Sequence, residues 1–77
     1  MYTPVEIGKA VRAARKVLGV TQKQLAFTAG TGMRFITDLE NGKPTCEFGK
    51  VLTVLHTLGI KLSLDLPGKN IFNETNK

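Results

Sequence analysis

Residues 30–42, GTGMRFITDLENG, bring a thioether, a guanidinium, a hydroxyl and a carboxylate together in one short predicted helix. Glycines precede this helix and Asn41-Gly42 ends it, so it has only about two turns. Met33 and Arg34 lie in its first turn, at the end where a short helix exposes its side chains. An apolar side chain beside a cation at such an end suits contact with a second molecule better than packing in a core.

The remaining reactive residue types form no catalytic or metal-binding pattern. His56 is the single histidine, with no paired carboxylate at a useful spacing, and Cys46 is the single cysteine. The sequence contains neither a phosphate-binding glycine loop nor a metal-ligand spacing. We therefore predict that the protein is not an enzyme and that it uses no cofactor or metal.

The charge balance favours a polyanionic partner. The 77 residues include 11 Lys and Arg against 6 Asp and Glu, which gives a net charge of +5 and a pI near 9.7. This balance favours nucleic acid over a membrane, although modest basicity is also common among small domains. A lone cysteine fits a reducing cytoplasm, and no apolar run reaches the length of a membrane span. We expect one cytoplasmic, nucleoid-associated domain with no membrane partner.

Two helices are predicted to begin at capping boxes. Glu6 follows Thr3 by three residues and Gln24 follows Thr21 by three, which is the spacing of reciprocal capping. Apolar residues at helical spacing follow each box, and Gly19 ends the first helix. The inward residues of that first helix are predicted to be Ile7, Val11, Ala14 and Leu18.

Two further helices are predicted downstream. The third runs from about Gly32 to Glu40, and the fourth begins between Thr45 and Phe48 and ends at Gly59. The fourth helix has the most regular apolar pattern in the chain. Its inward residues are predicted to be Phe48, Val51, Leu52, Leu55 and Leu58.

After Gly59 the apolar period changes from helical to alternating. Ile60, Leu62, Leu64 and Leu66 alternate with polar residues, which predicts a strand with one buried face. A single strand needs a hydrogen-bonded neighbour, so we predict that two copies of the chain pair these strands across a two-fold axis. Docking of the strand onto a different protein is the alternative. The domain would then span residues 1–66, with residues 67–77 as a flexible tail.

The second and third helices carry a specific pattern. Ala26, Gly30, Ile36 and Leu39 follow the spacing Ala-x3-Gly-x5-Ile-x2-Leu. This pattern resembles the helix-turn-helix of the phage-repressor-like (XRE) family, over roughly residues 5–62. The resemblance implies a mainly α fold: a lambda-repressor-like DNA-binding domain of four to five helices, with the C-terminal β-strand paired to that of a second copy.

Within that family the chain is most similar to HipB-type antitoxins. The similarity lies in residues 33–45 (MRFITDLENGKPT), in residues 49–52 (GKVL) and in the segment 60–62 (IKL). It implies a homodimer that binds palindromic operator DNA, represses its own operon and sequesters a HipA-like serine/threonine kinase toxin. A stand-alone XRE-family regulator without a toxin is the alternative, and an interaction module that has lost DNA binding is a further one.

The resemblance also implies roles for individual residues. It places the third helix in the major groove with its N-terminal residues at the base edges. Arg34 can donate two hydrogen bonds to a guanine, Met33 can pack on a thymine methyl, and Asp38 can accept from a cytosine or pair with Arg34. The predicted base-contact residues are Gly32, Met33, Arg34, Thr37 and Asp38. The phosphate-contact residues that the resemblance implies are Gln22, Asn41 and Lys43. Lys23 is predicted to join them, with a solvated side chain as the alternative.

Two further side chains are given structural roles. In related repressors the positions matching Arg15 and Glu40 form a partly buried salt bridge between the first helix and the end of the third, and we expect the same pair here. Phe35 stands where small polar residues are common in the family, and we predict that it packs against the fourth helix.

Overall fold

The computed structural model describes residues 2–64 and residue 67, and four helices make up most of this part of the chain. They are α1 (Pro4–Leu18), α2 (Gln22–Ala29), α3 (Met33–Glu40) and α4 (Phe48–Thr57). The mainly α fold and the four predicted helices are confirmed. None of the described helices has both the length and the apolar character that crossing a membrane requires.

The starts of α1 and α2 are set by capping boxes. The Glu6 amide donates to Thr3 Oγ1 at 3.1 Å while the Thr3 amide donates to Glu6 Oε1 at 2.9 Å. Thr21 and Gln24 repeat this exchange at 3.0 and 2.8 Å. Each box satisfies two amides that have no acceptor within the helix, so local sequence alone fixes where these helices begin.

The core lies between all four helices. The helix α3 packs against both α1 and α2, and α2 also packs against α4. Burial of these apolar side chains is the main favourable term in folding. The buried side chains of the core are Val11, Leu25, Ala26, Ile36, Leu39, Val51, Val54, Leu55 and Leu58.

Three of the residues predicted to face inward are exposed. Leu18 is at the last turn of α1, where the helix has passed the end of the core, and Phe48 and Leu52 lie on a flank of α4. Val51, Leu55 and Leu58 are buried as predicted, and the fully buried Val54 completes this face of α4. The predicted face was therefore right in part, because the buried side lies closer to Val54 than to Phe48 and Leu52.

The predicted C-terminal strand does not form within the described residues. Residues 60–64 are irregular, with Ile60 packed against the core and Leu62 and Leu64 exposed. Residues 2–64 and 67 of the single chain offer this segment no neighbouring strand to pair with. Leu66 and the predicted domain boundary after it, like the tail residues from 68 onward, lie outside the described residues.

Candidate nucleic-acid interface

The turn between α2 and α3 positions the candidate residues. Gly30 has φ +73°, in the left-handed region that favours glycine, and the Thr31 amide donates to Ala26 O at 2.9 Å. Beyond the turn, the buried Ile36 and Leu39 anchor one side of α3 in the core. The opposite side and the first turn of α3 therefore face outward.

The five predicted base-contact residues lie together on this exposed part of α3. Met33 and Arg34 are exposed in the first turn, and Thr37 and Asp38 follow one turn later, partly exposed on the same side. A Cβ added to Gly32 would meet no atom within 4 Å, so the backbone at the start of α3 is open to an approaching molecule. The structure thus brings a cation, an apolar side chain and two polar groups to one small surface.

Asp38 links two cations of this surface. Its Oδ1 accepts from Arg34 Nε at 3.5 Å, and its Oδ2 accepts from Lys43 Nζ at 3.4 Å. Both contacts are long and partly exposed to solvent, and such pairs contribute little to stability. The pairing of Asp38 with Arg34, one of the two predicted roles of this carboxylate, is thus present in the free protein.

Gln22 has partners inside the protein that the sequence did not indicate. Its Nε2 donates to Glu40 Oε1 at 3.0 Å, and its Oε1 accepts from Thr37 Oγ1 at 3.3 Å. The Thr37 hydroxyl has Met33 O as an alternative acceptor at 3.2 Å. The Gln22 side chain therefore connects the start of α2 to α3, and its contact with a phosphate stays a prediction.

The other predicted phosphate-contact residues are open to solvent. Lys23 is exposed in the first turn of α2, Asn41 is exposed directly after α3, and the Lys43 side chain is about half exposed. The first amides of a helix have no intrahelical acceptor, and the Thr21 side chain accepts only from that of Gln24 here. The start of α2 thus presents N–H groups of the kind that bind phosphate oxygens.

Arg15 and Glu40 form a partly buried ion pair beneath this surface. Arg15 Nε donates to Glu40 Oε2 at 2.7 Å, a second guanidinium nitrogen donates to Oε1 at 3.1 Å, and a third bond reaches Val20 O at 3.1 Å. The Glu40 side chain is only 4% exposed. The pair therefore fixes the C-terminal end of α3 against α1 and the α1–α2 turn.

The ion pair shifts the protonation equilibria of both partners. Burial raises the pKa of Glu40, but the hydrogen bonds from Arg15 and Gln22 and the charges of Arg15 and Arg12 outweigh it, so the net pKa is lowered. The hydrogen bond to Glu40 raises the pKa of Arg15 against the lowering effect of burial. Both shifts favour the charged forms that make the pair.

Gly8 is a residue whose role sequence reasoning missed. A Cβ at this position of α1 would overlap Leu39 O and would lie 2.8 Å from Glu40 O. The absence of a side chain thus lets α1 lie directly against the end of α3. The only signal in the sequence was a glycine inside an otherwise helical pattern, which usually indicates such a packing requirement.

Phe35 packs where it was predicted to pack. Its ring lies against the core, and Lys50 of α4 places Nζ 5.9 Å from the ring centre. At this distance the ammonium is attracted weakly to the face of the ring. The residue therefore belongs to the support of α3 and not to its outward surface.

Comparison with known proteins shows what this arrangement is similar to. A family model described as a helix-turn-helix domain matches residues 8–71. The chain is 52% identical over 67 residues to the "Uncharacterized HTH-type transcriptional regulator y4mF" of Sinorhizobium fredii (strain NBRC 101917 / NGR234), covering 87% of this chain and 88% of the relative.

Solved structures share the fold. A HipB–O4 20mer complex superposes with a TM-score of 0.76 at 24% identity, covering 88% of this chain and 96% of the other. A HipA–HipB–O2–O3 complex gives a TM-score of 0.77 at 24% identity, with the same coverage. A HipB–O1–O2 complex gives 0.77 at 25% identity, covering 84% and 94%.

Proposed function

This chain belongs to the helix-turn-helix family of DNA-binding transcriptional regulators, and we propose that it is a sequence-specific repressor whose α3 enters the major groove of operator DNA. The observation that carries the proposal is the exposed first turn of α3, where Arg34 is 87% exposed on a helix anchored by the buried Ile36. An α-helix fits the major groove, where each base pair presents a distinct pattern of donors, acceptors and methyl groups.

The proposed base contacts follow from side-chain chemistry. Arg34 donates to O6 and N7 of one guanine, and Met33 packs on a thymine methyl. Thr37 offers a hydroxyl and a methyl group, and Gly32 allows the backbone to approach the DNA closely. Asp38 either accepts from a cytosine amino group or orients Arg34, as its 3.5 Å contact with Arg34 favours.

The proposed phosphate contacts fix the position of α3 without selecting a sequence. Lys23 and the first amides of α2 lie at the helix start that Gln22 joins to Thr37, and Asn41 and Lys43 follow the C-terminal end of α3 in the sequence. The start of α2 at Gln22 offers backbone N–H groups to a phosphate. The amide side chain of Gln22 can also contact a phosphate oxygen if it gives up one of its hydrogen bonds within the protein.

Replacing Arg34 with Ala tests the proposed base contact. Operator duplexes would first be selected from a random-sequence library with the parent protein. We expect Arg34→Ala to weaken binding to the selected operator by about 1–3 kcal/mol and to relax the preference at one base position. Fluorescence anisotropy on single-base variants of the operator measures both effects.

Lys43→Ala is the matched comparison for this experiment. It also removes one cation, but from a proposed phosphate contact, so affinity should fall evenly across sequences and the salt slope should flatten by about one. Unchanged affinity and selectivity in the Arg34→Ala protein would contradict the assignment of Arg34 to a base.

We also propose that the DNA-binding form is a homodimer paired through the C-terminal strand. Leu64 is 71% exposed in the single chain, and Leu62 is exposed beside it. Both residues line an apolar groove of about 340 Å³. Residues of α1, of α4 and of the loop between α3 and α4 form the rest of the groove, and among them Phe48 is 67% exposed. A two-fold dimer would cover this apolar surface and would match a palindromic operator.

The dimer is tested by placing a charge in the predicted strand. Leu64→Asp should produce monomers in sedimentation-velocity experiments, because a carboxylate would be buried at the paired strands. Ser63→Asp is the matched control, since its side chain would lie on the other face of the same strand. A Leu64→Asp protein that stayed dimeric at the parent's concentration would remove the strand-pairing hypothesis.

We further propose that the protein is a HipB-like antitoxin that binds a HipA-like kinase toxin and represses its own operon. The shared fold with HipB, which is solved in complex with HipA, supports this proposal. The alternative is a stand-alone regulator, and the S. fredii relative is described as a transcriptional regulator only. The antitoxin proposal would be supported by a neighbouring gene that encodes a kinase-like protein, if that protein co-purifies with this chain. A genome without such a gene would favour the stand-alone regulator.

A further inference from the structure

We propose that Asp38 is a specificity-determining residue that keeps the DNA-binding surface from binding DNA without regard to sequence. The inference rests on the proposed function, because it concerns how α3 distinguishes an operator from other DNA. It assigns to Asp38 an electrostatic role that differs from accepting a hydrogen bond from a base.

The contact with Asp38 leaves the terminal nitrogens of the Arg34 guanidinium free. The carboxylate accepts from Nε of Arg34 at 3.5 Å, and Lys43 Nζ contacts its other oxygen at 3.4 Å. A guanidinium has five donors, so bonding through Nε leaves the two terminal nitrogens available for O6 and N7 of a guanine. Arg34 can therefore bind a guanine while it stays paired with Asp38.

Binding to the phosphate backbone alone has a different consequence for Asp38. In a complex without base contacts, Arg34 and Lys43 gain most by turning to phosphates, as cations do in non-specific binding. Asp38 would then lose both partners while it lay beside a polyanion. The operator complex keeps at least the pairing of Asp38 with Arg34. The charge of Asp38 therefore lowers the affinity of non-specific complexes more than that of the operator complex.

Asp38 carries the carboxylate of α3 that an approaching DNA would meet. The other acidic residue of this helix, Glu40, is 4% exposed and paired with Arg15, whereas the Asp38 side chain is 24% exposed. The contacts of Asp38 are also long, in contrast to the 2.7 Å bond of the buried pair. Breaking weak and partly solvated contacts of this kind costs little by itself, so the penalty on a non-specific complex comes from repulsion between the unpaired carboxylate and the phosphates.

Asp38→Asn tests the inference because it removes the charge and keeps the shape. We expect its affinity for a random-sequence duplex to rise about fivefold, the most that one exposed ion pair usually contributes. Affinity for the selected operator should rise less or fall, so the ratio of operator to random-duplex affinity should drop several-fold. Anisotropy titrations with both duplexes at several salt concentrations give the two affinities and the salt slopes.

Glu47→Gln is the matched control. It changes the net charge equally, but Glu47 precedes α4 and its contact is with Lys50 at 3.9 Å, so the affinity ratio should stay near that of the parent. Asp38→Ser serves as a second uncharged variant, and thermal melting checks that both Asp38 variants are folded.

Two outcomes would overturn the inference. An unchanged affinity ratio in both Asp38 variants would remove the electrostatic role. A loss confined to one operator base pair, with unchanged affinity for random duplex, would show instead that Asp38 accepts from a base. If the parent itself preferred no sequence in the selection, the proposed function would fail, and this result differs from both of the others.

Discussion

Arg15→Ala should lower the free energy of unfolding by about 3 kcal/mol, the lower end of the usual cost of breaking a buried pair, because it leaves a largely buried carboxylate without its counter-charge. Glu40 accepts two hydrogen bonds from Arg15 and would keep only the one from Gln22. The C-terminal end of α3 would lose its attachment to α1, so affinity for DNA should fall as well. Urea denaturation at a fixed protein concentration measures the loss of stability.

Lys16→Ala is the control for this substitution. Lys16 lies beside Arg15 in the last turn of α1 and is exposed, so removing it takes away one cation but no buried partner. We expect a change of about 0.5 kcal/mol or less, as for most surface substitutions. Equal stability of the two variants would contradict a stabilising role of the buried pair.

The pH dependence of the same variant provides a second measurement. The folded-state pKa of Glu40 lies below its ordinary value of 4.5, so the unfolded chain binds the proton more tightly. The stability contributed by this carboxylate is therefore fully present above pH 4.5 and is lost as the pH falls through the lowered pKa. The difference in stability between the parent and Arg15→Ala should narrow over that acidic range.

The helix boundaries could be predicted because the signals for them are local. Thr3 and Thr21 each find their capping partner three residues away, and Gly30 supplies the left-handed turn without help from the rest of the chain. The orientation of α4 could not be predicted in the same way. Leu52 fits a helical apolar pattern as well as Val54 does, and only the positions of the other helices decide which of them is buried.

The candidate site also has some features that the sequence could predict and others that it could not. The outward position of Arg34 follows from the spacing of the buried residues around it, and the Arg15–Glu40 pair was implied by family resemblance. The bonds of Gln22 to Glu40 and Thr37 join residues far apart in sequence through side-chain geometry, which no periodicity encodes. The predicted strand presents a different difficulty. Its alternating pattern is local, but its hydrogen-bond partners would belong to another chain.

Gly8→Ala should destabilise the protein by about 2–3 kcal/mol, the usual cost of forcing an extra carbon into a packed contact. The obstacle is the backbone of α3, namely the carbonyl oxygens of Leu39 and Glu40, and backbone cannot move aside as a flexible side chain can. The helix α1 would have to shift away from α3 and would carry Arg15 with it. The substitution should therefore destabilise the fold and displace the proposed DNA-binding surface, as urea denaturation and operator binding would report.

Gly49→Ala makes the same chemical change at the start of α4, where the added carbon would have only Glu47 Oε2 within 4 Å, at 3.9 Å. There the higher helix propensity of Ala should prevail and stabilise the protein by about 0.5 kcal/mol. The two substitutions are thus expected to have opposite signs. If Gly8→Ala were also neutral or stabilising, α1 and α3 would not lie in direct backbone contact, and the position of α3 would have to depend on the Arg15–Glu40 pair and the core side chains alone.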